Sequence, residues 1–261
     1  MDAGAYAQFT ETLITQLQDD PRVVGLVALG SMAAQSRQPD AWSDHDFFVI
    51  TVPGVQEDLR QARAWLPQPD QIVVHVRETA HGLKVLYANG HLIEFAVFDE
   101  AELSVAKVND YRVLIDKTTI TAVMARIAED SVPQAVDEQR AFSLFISLLL
   151  VGAGRYARGE VLSAHRFIKD HALANLLPVL ANHLPANNKA VLDNLDAFRR
   201  FERVFPQESA ALHAILRLDP LHAARELLTF AEGHLHPSLP DYPAAAVEVV
   251  RNYLNNIEHQ P

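Results

Sequence analysis

The fold is decided by residues 24–49, which read VGLVALGSMAAQSRQPDAWSDHDFFV. The nearly continuous apolar run at its start is typical of a buried β-strand, and Gly30-Ser31 ends that strand. A short helix is predicted to start in Met32–Gln35, and a second strand is predicted at residues 46–50. The segment therefore predicts two strands that are joined by a short helical and polar connection.

Two carboxylates stand at the start of the second strand. Asp44 and Asp46 are two positions apart, so alternation along a strand is expected to point both to the same side. Such close like charges repel each other unless a cation lies between them, and Mg²⁺ is the hard ion that prefers oxygen ligands. His45 would face the opposite side, where a packed or hydrogen-bonded histidine is expected rather than a metal ligand.

Gly30-Ser31 and Glu94 complete this candidate site. The glycine lets backbone amides approach an anion, the serine adds a hydroxyl, and the following helix start adds N–H donors, so phosphate groups are expected here. Glu94 is the lone carboxylate of the predicted strand Leu92–Phe98, where unpaired burial would be costly. It is expected either to bind a second metal about 4 Å from the first or to take the proton of an acceptor hydroxyl.

Each feature also has an ordinary structural explanation. Asp-x-Asp is common in solvated turns, Gly-Ser after a strand is usually only a turn, and a lone glutamate suits an edge strand that faces water. Their occurrence in one order (strand, Gly-Ser, short helix, strand-borne Asp-x-Asp, strand-borne Glu) favours a phosphoryl-transfer site, because such chemistry needs charge neutralisation, positioning and an activated nucleophile.

Three other features are candidates for secondary roles. Arg158-Gly159-Glu160 is predicted to be a joint between helices with Gly159 in a left-handed turn, and the alternative is a contact to nucleotide or acceptor. Arg166 and His171 have the spacing of the HEPN ribonucleases, for which chance is the favoured explanation. Trp42 is expected to anchor its loop, and stacking on a base or an acceptor is the alternative.

The pattern along the chain changes near residue 115. Before it, helices are predicted at residues 5–17 and 55–66, and strands at 23–29, 46–50, 71–76, 83–88 and 92–98, with Asn89-Gly90 as a hairpin turn. After it, helical periods dominate. We therefore predict an α+β fold, with a catalytic domain at residues 1–115 whose mixed sheet has flanking helices. An all-helical domain at residues 116–261 would serve acceptor binding or dimerisation.

Composition narrows the classes of function. The chain has no cysteine, which excludes disulfides and thiolate metal sites. Its net charge of −11 disfavours nucleic acid as a partner, since phosphate binding normally needs a basic surface. Leu144–Val151 is too short to cross a membrane and is predicted to be a buried helix segment. The first residues lack a secretory pattern, so we expect a cytoplasmic protein that is not bound to a membrane.

The residues resemble those of the polymerase-β-like nucleotidyltransferases, and within that superfamily the lincosamide nucleotidyltransferases. The segments that carry the resemblance are residues 24–31, 43–47, 94–95, 158–160 and 215–219. The resemblance implies that Asp44 and Asp46 bind one or two Mg²⁺ ions. It implies that Glu94 is the third carboxylate, as ligand or general base, and that Gly30-Ser31 contacts the triphosphate of ATP.

The resemblance also implies an activity. The enzyme would move AMP from ATP to a hydroxyl of a small acceptor, and an antibiotic such as a lincosamide or an aminoglycoside would make it a resistance enzyme. Modification of a protein or a tRNA end is an alternative. A non-catalytic nucleotide-binding module is disfavoured, because it has no reason to keep three repelling carboxylates. The apolar helix near residues 142–151 would allow a homodimer, or would equally be interior core.

Overall fold

The computed structural model describes residues 1–132 and 135–257. The chain divides into two compact units between Val132 and Pro133. This division falls later than the predicted boundary at 115/116, because a helix that includes Ile120 and Met124 packs on the sheet of the first unit. The predicted α+β class is confirmed, with a mixed sheet and flanking helices in the first unit and helices in the second.

The first unit forms a six-stranded sheet with four α-helices in its described residues. The helices are α1 (Ala3–Gln18), α2 (Gly30–Ala33), α3 (Gln56–Gln61) and α4 (Ile120–Asp130). The strands are β1 (Val23–Leu29), β2 (His45–Thr51), β3 (Ile72–Arg77), β4 (Gly82–Tyr87), β5 (Leu92–Asp99) and β6 (Tyr111–Asp116). The five predicted strands are confirmed. β6 was not predicted, and the predicted helix at 55–66 ends early because Ala62 has an extended backbone.

The order of the strands is β3-β4-β5-β2-β1-β6. All neighbours are antiparallel except β2 and β5, which are parallel and lie at the centre of the sheet. A parallel pair requires a long crossover, and here α3, β3 and β4 supply it. The parallel pairing brings the start of β2, with its carboxylates, beside the start of β5.

Both faces of the sheet are covered by apolar side chains. Leu13 and Leu17 of α1 pack with Phe47 and other inward residues on one face. On the other face, Ile120 and Met124 of α4 pack with their own set of strand residues. Since neighbouring strand residues alternate between these clusters, the two helices fix which side each polar strand residue takes.

The second unit is helical throughout its described secondary structure. It contains α5 (Glu138–Ala157), α6 (Val161–His165), a π-helical turn (Arg166–Ala172), α7 (Leu173–His183), α8 (Phe201–Val204), α9 (Pro206–Leu216), α10 (Pro220–Leu235) and α11 (Ala244–Ile257). Helix α5 packs against the π-helical turn so closely that a β-carbon at Gly152 would lie 2.4 Å from a side-chain carbon of Ile168.

Helix α5 is long and apolar enough to cross a membrane by length and composition alone. Its residues Phe142, Phe145 and Leu149 are instead buried in the core of the second unit, as predicted for this segment. Val151 is partly exposed on the same helix. Interior packing therefore explains most of its apolar side chains, and a dimer through this helix stays a prediction.

Candidate functional site

The parallel pairing of β2 and β5 places Asp46 directly beside Glu94. Both side chains belong to the sheet face opposite α1, because Phe47 and Phe95, the next residue on each strand, pack in the α1 cluster. Each carboxylate residue is partly exposed. Two of the predicted site residues, which are 48 positions apart in the chain, are thus neighbours on one face of the sheet.

Gly30-Ser31 lies next to this pair. Gly30 has a positive φ of 50°, which favours glycine, and a β-carbon added to it would be 3.7 Å from Asp46 Oδ2. Its N–H donates to the carbonyl of Asp110, the residue before β6, over 2.9 Å. The Ser31 side chain is fully buried; its oxygen meets no partner with full hydrogen-bond geometry in the described part of the chain, but it interacts with the Tyr6 hydroxyl. The backbone at Gly30-Ser31, which is the predicted phosphate contact, therefore lies against the Asp46 carboxylate and includes a serine hydroxyl.

Asp44 is held by a residue that sequence reasoning missed. Tyr6 of α1 donates its hydroxyl to the backbone carbonyl of Asp44 over 2.8 Å. Burial raises the pKa of Tyr6; the nearby Ser31 hydroxyl lowers it, and the charges of Asp46 and Asp44 raise it further. The phenol therefore stays protonated and lies close to all three site residues. Nothing in the spacing of α1 distinguishes Tyr6 from an ordinary core residue.

His45 packs behind the carboxylates, as predicted. It is fully buried, its Nδ1 lies 3.0 Å from His91 Nε2, and its Nε2 lies 2.9 Å from Thr10 Oγ1. Its ring stacks on that of Tyr6 at 3.7 Å. Burial, with a smaller contribution from the charge of His91, lowers the pKa of His45 to about 3. A neutral imidazole therefore supports the strand between Asp44 and Asp46.

The carboxylate of Glu94 is engaged by a lysine on its other side. Lys84 of β4 lies opposite Glu94 in the register, and its Nζ is 3.2 Å from Glu94 Oε1 and 2.9 Å from Glu78 Oε1. Hydrogen bonds to Glu78 and then Glu94 raise the pKa of Lys84. In residues 1–132 and 135–257, no three His, Asp or Glu side chains come close enough together to hold a metal ion. The register brings Asp46 and Glu94 together, while Lys84 draws the Glu94 carboxylate towards β4.

Arg37 is a second residue that sequence reasoning missed. It is partly buried in the segment between α2 and β2, and its Nε is buried without a hydrogen-bond partner among the residues that the structure describes. Hydrogen bonds from Trp42 and Ser43 lower the pKa of Asp40, and the positive charge of Arg37 adds to this effect. The same charge slightly opposes the rise that burial causes in the pKa of Tyr6. A guanidinium with a buried N–H donor that has no partner among the described residues is suited to an anionic ligand.

The remaining candidates of the second unit have local partners. Arg158 Nε is 3.1 Å from Glu160 Oε1, and Gly159 has a positive φ of 76°, which is the helix joint that the sequence predicts. Arg166 is exposed, and His171 Nδ1 lies 3.9 Å from Asp170 Oδ2. Catalytic roles for these residues stay predictions.

No protein-family model and no curated protein matches the chain. Its structure is similar to that of an aminoglycoside 6-adenyltransferase from Bacillus subtilis, with a TM-score of 0.40 and 14% identity over 96% of this chain and 97% of that chain. A nucleotidyltransferase-like protein from Exiguobacterium sibiricum has a TM-score of 0.31 and 11% identity, and covers 97% of this chain and 89% of its own.

A third solved structure, the CD-NTase CdnG of Bradyrhizobium diazoefficiens in complex with GTP, has a TM-score of 0.28 and 14% identity over 98% of this chain and 92% of its own. The proteins that the chain resembles are thus of the nucleotidyltransferase kind. Because the TM-scores are below 0.5, these similarities do not establish an activity for this chain. The lincosamide likeness stays a prediction.

Proposed function

We propose that the chain is a Mg²⁺-dependent nucleotidyltransferase that moves AMP from ATP to a hydroxyl of a small molecule. The observation that carries the proposal is the pairing of Asp46 with Glu94 across parallel strands, with Gly30 against the Asp46 carboxylate. Unrelated turn or edge-strand carboxylates would not be expected to pair with each other and also to lie against a positive-φ glycine at the end of a strand. The location that we propose for the reaction is the cytoplasm.

The carboxylate oxygens of Asp44, Asp46 and Glu94 are donors of the type that a hard cation prefers, although the described side chains are not gathered around one ion position. Asp44 and Asp46 would hold the magnesium, and Glu94 would join them or act as base once Lys84 yields it. When bound, the metal supplies charge neutralisation for the triphosphate and the leaving pyrophosphate. Because the net charge of −11 opposes the approach of a polyanion, local positive charge at the site would favour the binding of a triphosphate.

The residues of the chain then have separate tasks. The Ser31 hydroxyl and the Arg37 guanidinium donate hydrogen bonds to phosphate oxygens. The acceptor oxygen forms a bond to the α-phosphorus while the bond from that phosphorus to the β-phosphate oxygen breaks, and pyrophosphate leaves. The Glu94 carboxylate takes the proton of the acceptor hydroxyl. Tyr6 keeps Asp44 in place through its backbone carbonyl.

The acceptor that we propose is a hydroxylated small molecule, with aminoglycosides and lincosamides as the first compounds to test for a role in antibiotic resistance. The assay is pyrophosphate release from ATP with Mg²⁺ across a panel of these compounds, followed by mass spectrometry of any adenylylated product. The expected result is a product whose mass exceeds that of one panel compound by a single AMP group.

Variants test the site itself. Asp46→Asn removes the negative charge of the side chain, so transfer should be abolished. The fold should stay intact, because the volume is unchanged and the position is partly exposed. Asp70→Asn, exposed on the same unit, is the matched control. Glu94→Gln is expected to lower turnover strongly while ATP binding is kept, and Glu78→Gln, which removes the other partner of Lys84, is its control. Near-normal transfer by Asp46→Asn would overturn the proposal.

A further inference from the structure

Trp42 is almost completely exposed. Its side chain is 93% accessible in the loop that leads to β2, so the sequence-based expectation that it anchors the loop is wrong. Tryptophan is highly buried on average, because its large apolar surface is unfavourable in water. An indole left in solvent two residues before Asp44 is therefore a candidate binding surface.

The loop that carries Trp42 is ordered by its own hydrogen bonds. The backbone N–H of Trp42 donates to Asp40 Oδ1 over 2.9 Å. The N–H of Asp40 donates to Ser43 Oγ over 3.0 Å, and the N–H of Ser43 donates to the Asp40 carbonyl over 3.1 Å. Because these bonds fix the turn on both sides of it, the indole is presented on a preorganised loop and loses little backbone freedom on binding.

Trp42 and Asp44 line one cavity of about 310 Å³. The cavity is also lined by residues 89–92, which are the turn between β4 and β5 and the first residue of β5. The cavity therefore lies at the amino ends of the parallel strands β2 and β5. Its volume is in the range of small-molecule sites, and its lining includes Asp44, a predicted metal ligand.

The position of the cavity separates it from the predicted phosphate contact. Gly30-Ser31 follows β1, which borders β2 on one side, while the turn at residues 89–91 precedes β5, which borders β2 on the other side. A nucleotide whose phosphates lie at Gly30-Ser31 and a molecule in the cavity would approach Asp44 from different sides. This is the arrangement that a transfer between two substrates needs.

We infer that Trp42 is a specificity-determining residue that stacks on a ring of the acceptor, and that the acceptor is a cyclic alcohol with an apolar ring face. The inference rests on the proposed function and names the acceptor class for the same site. Stacking on the indole orients the acceptor, and its hydroxyl is directed over Asp44 towards the α-phosphate. A purely linear alcohol would lack this contact.

The fluorescence of Trp42 can be used to detect this contact. It has two tryptophans, and the other, Trp65, is 7% exposed and donates its indole N–H to the Leu59 carbonyl over 2.8 Å. The difference between the fluorescence of the wild-type protein and that of Trp42→Phe therefore reports on Trp42. The titrations use Mg²⁺-ATP alone, and kanamycin, lincomycin and the linear alcohol 1,4-butanediol, each with and without Mg²⁺-ATP.

The expected result is that a cyclic compound changes the Trp42 signal saturably, while Mg²⁺-ATP and butanediol leave it unchanged. For the cyclic compound that is adenylylated, Trp42→Ala should raise the KM roughly five- to tenfold and leave the KM for ATP within about twofold. Leu162→Ala, at a position 87% exposed on the second unit, is the control for loss of an exposed apolar side chain.

Other outcomes separate the two proposals. A Trp42 response to Mg²⁺-ATP alone would assign the indole to the nucleobase and overturn the inference. The inference would also be overturned if all cyclic compounds left the signal unchanged. An adenylylated acceptor whose KM is the same in Trp42→Ala would also overturn it. Saturable Trp42 binding of a cyclic compound without any transfer would support the ring site and contradict the proposed enzyme.

Discussion

Acidification should destabilise this protein through His45, and the size of the effect can be worked out from its burial. The pKa of the buried imidazole falls from the ordinary 6.5 to about 3, because its charged form loses hydration and meets His91. Between these two pKa values the unfolded chain binds a proton that the folded chain does not. The contribution to stability is thus complete above pH 6.5 and is lost as the pH falls below it.

The slope is about 1.4 kcal/mol for each pH unit in this window. From pH 6.5 down to pH 5 the loss due to His45 alone is therefore about 2 kcal/mol, with little change above pH 7. That is a large share of the 5–15 kcal/mol that holds a typical domain folded. The burial of His91 also lowers its pKa, so the wild-type protein should lose stability by more than the His45 part.

Urea unfolding of the wild-type protein and of His45→Gln at about pH 7.5 and pH 5 isolates this part. The variant starts less stable, since contacts to Thr10 and His91 are lost, but its stability should fall by about 2 kcal/mol less between the two pH values. His213→Gln, at an exposed position of α9, should keep the wild-type pH dependence. Equal pH dependence of wild type and His45→Gln would refute the assignment of a buried neutral imidazole.

Three further predictions follow from other contacts. Lys84→Met frees the third carboxylate, so the Mg²⁺ concentration for half-maximal transfer should fall roughly two- to fivefold, and an unchanged requirement in a Mg²⁺ titration would contradict this. Tyr6→Phe removes the hydrogen bond to the Asp44 carbonyl. Urea unfolding should show a loss of about 1 kcal/mol in stability, and the transfer assay should show a lower kcat. No change in either measurement would show that this hydrogen bond is unimportant. Gly152→Ala should lower the stability measured by urea unfolding by about 1–3 kcal/mol, because the new methyl would lie 2.4 Å from a side-chain carbon. In the control Gly233→Ala the methyl meets nothing within 4 Å. Equal stability of the two variants would contradict the close packing at Gly152.

Local pattern was sufficient to predict most elements of the first unit. An apolar run bounded by turn residues predicted β1, and alternation with Asn89-Gly90 predicted the hairpin of β4 and β5. Pattern failed at β6, whose residues 111–116 mix charged and apolar side chains because it is an edge strand with limited burial. The two compact units divide after Val132, later than the predicted 115/116, because helix α4 has the same periodicity whether it packs on a sheet or in a bundle.

The chemistry of the candidate site was partly present in the sequence. The types of residue at Gly30, Ser31, Asp44 and Asp46 predicted a phosphate and metal site, since oxygen donors and a small residue after a strand are local features. The sequence also suggested that Glu94 belongs with them. Whether Glu94 lies beside Asp46 depends on which strands are neighbours in the sheet. The sequence pattern could therefore suggest this contact but not establish it.

The tertiary structure alone decided the neighbours of these residues. Strand order placed Glu94 beside Asp46 and also beside Lys84, which no spacing in the sequence connects. The packing of α1 brought the Tyr6 hydroxyl to Asp44, and the turn at Asp40 left Trp42 in solvent. Periodicity along a chain determines which face a side chain takes, whereas contacts between distant segments depend on the register of strands and the packing of helices, which the chain acquires only when it folds.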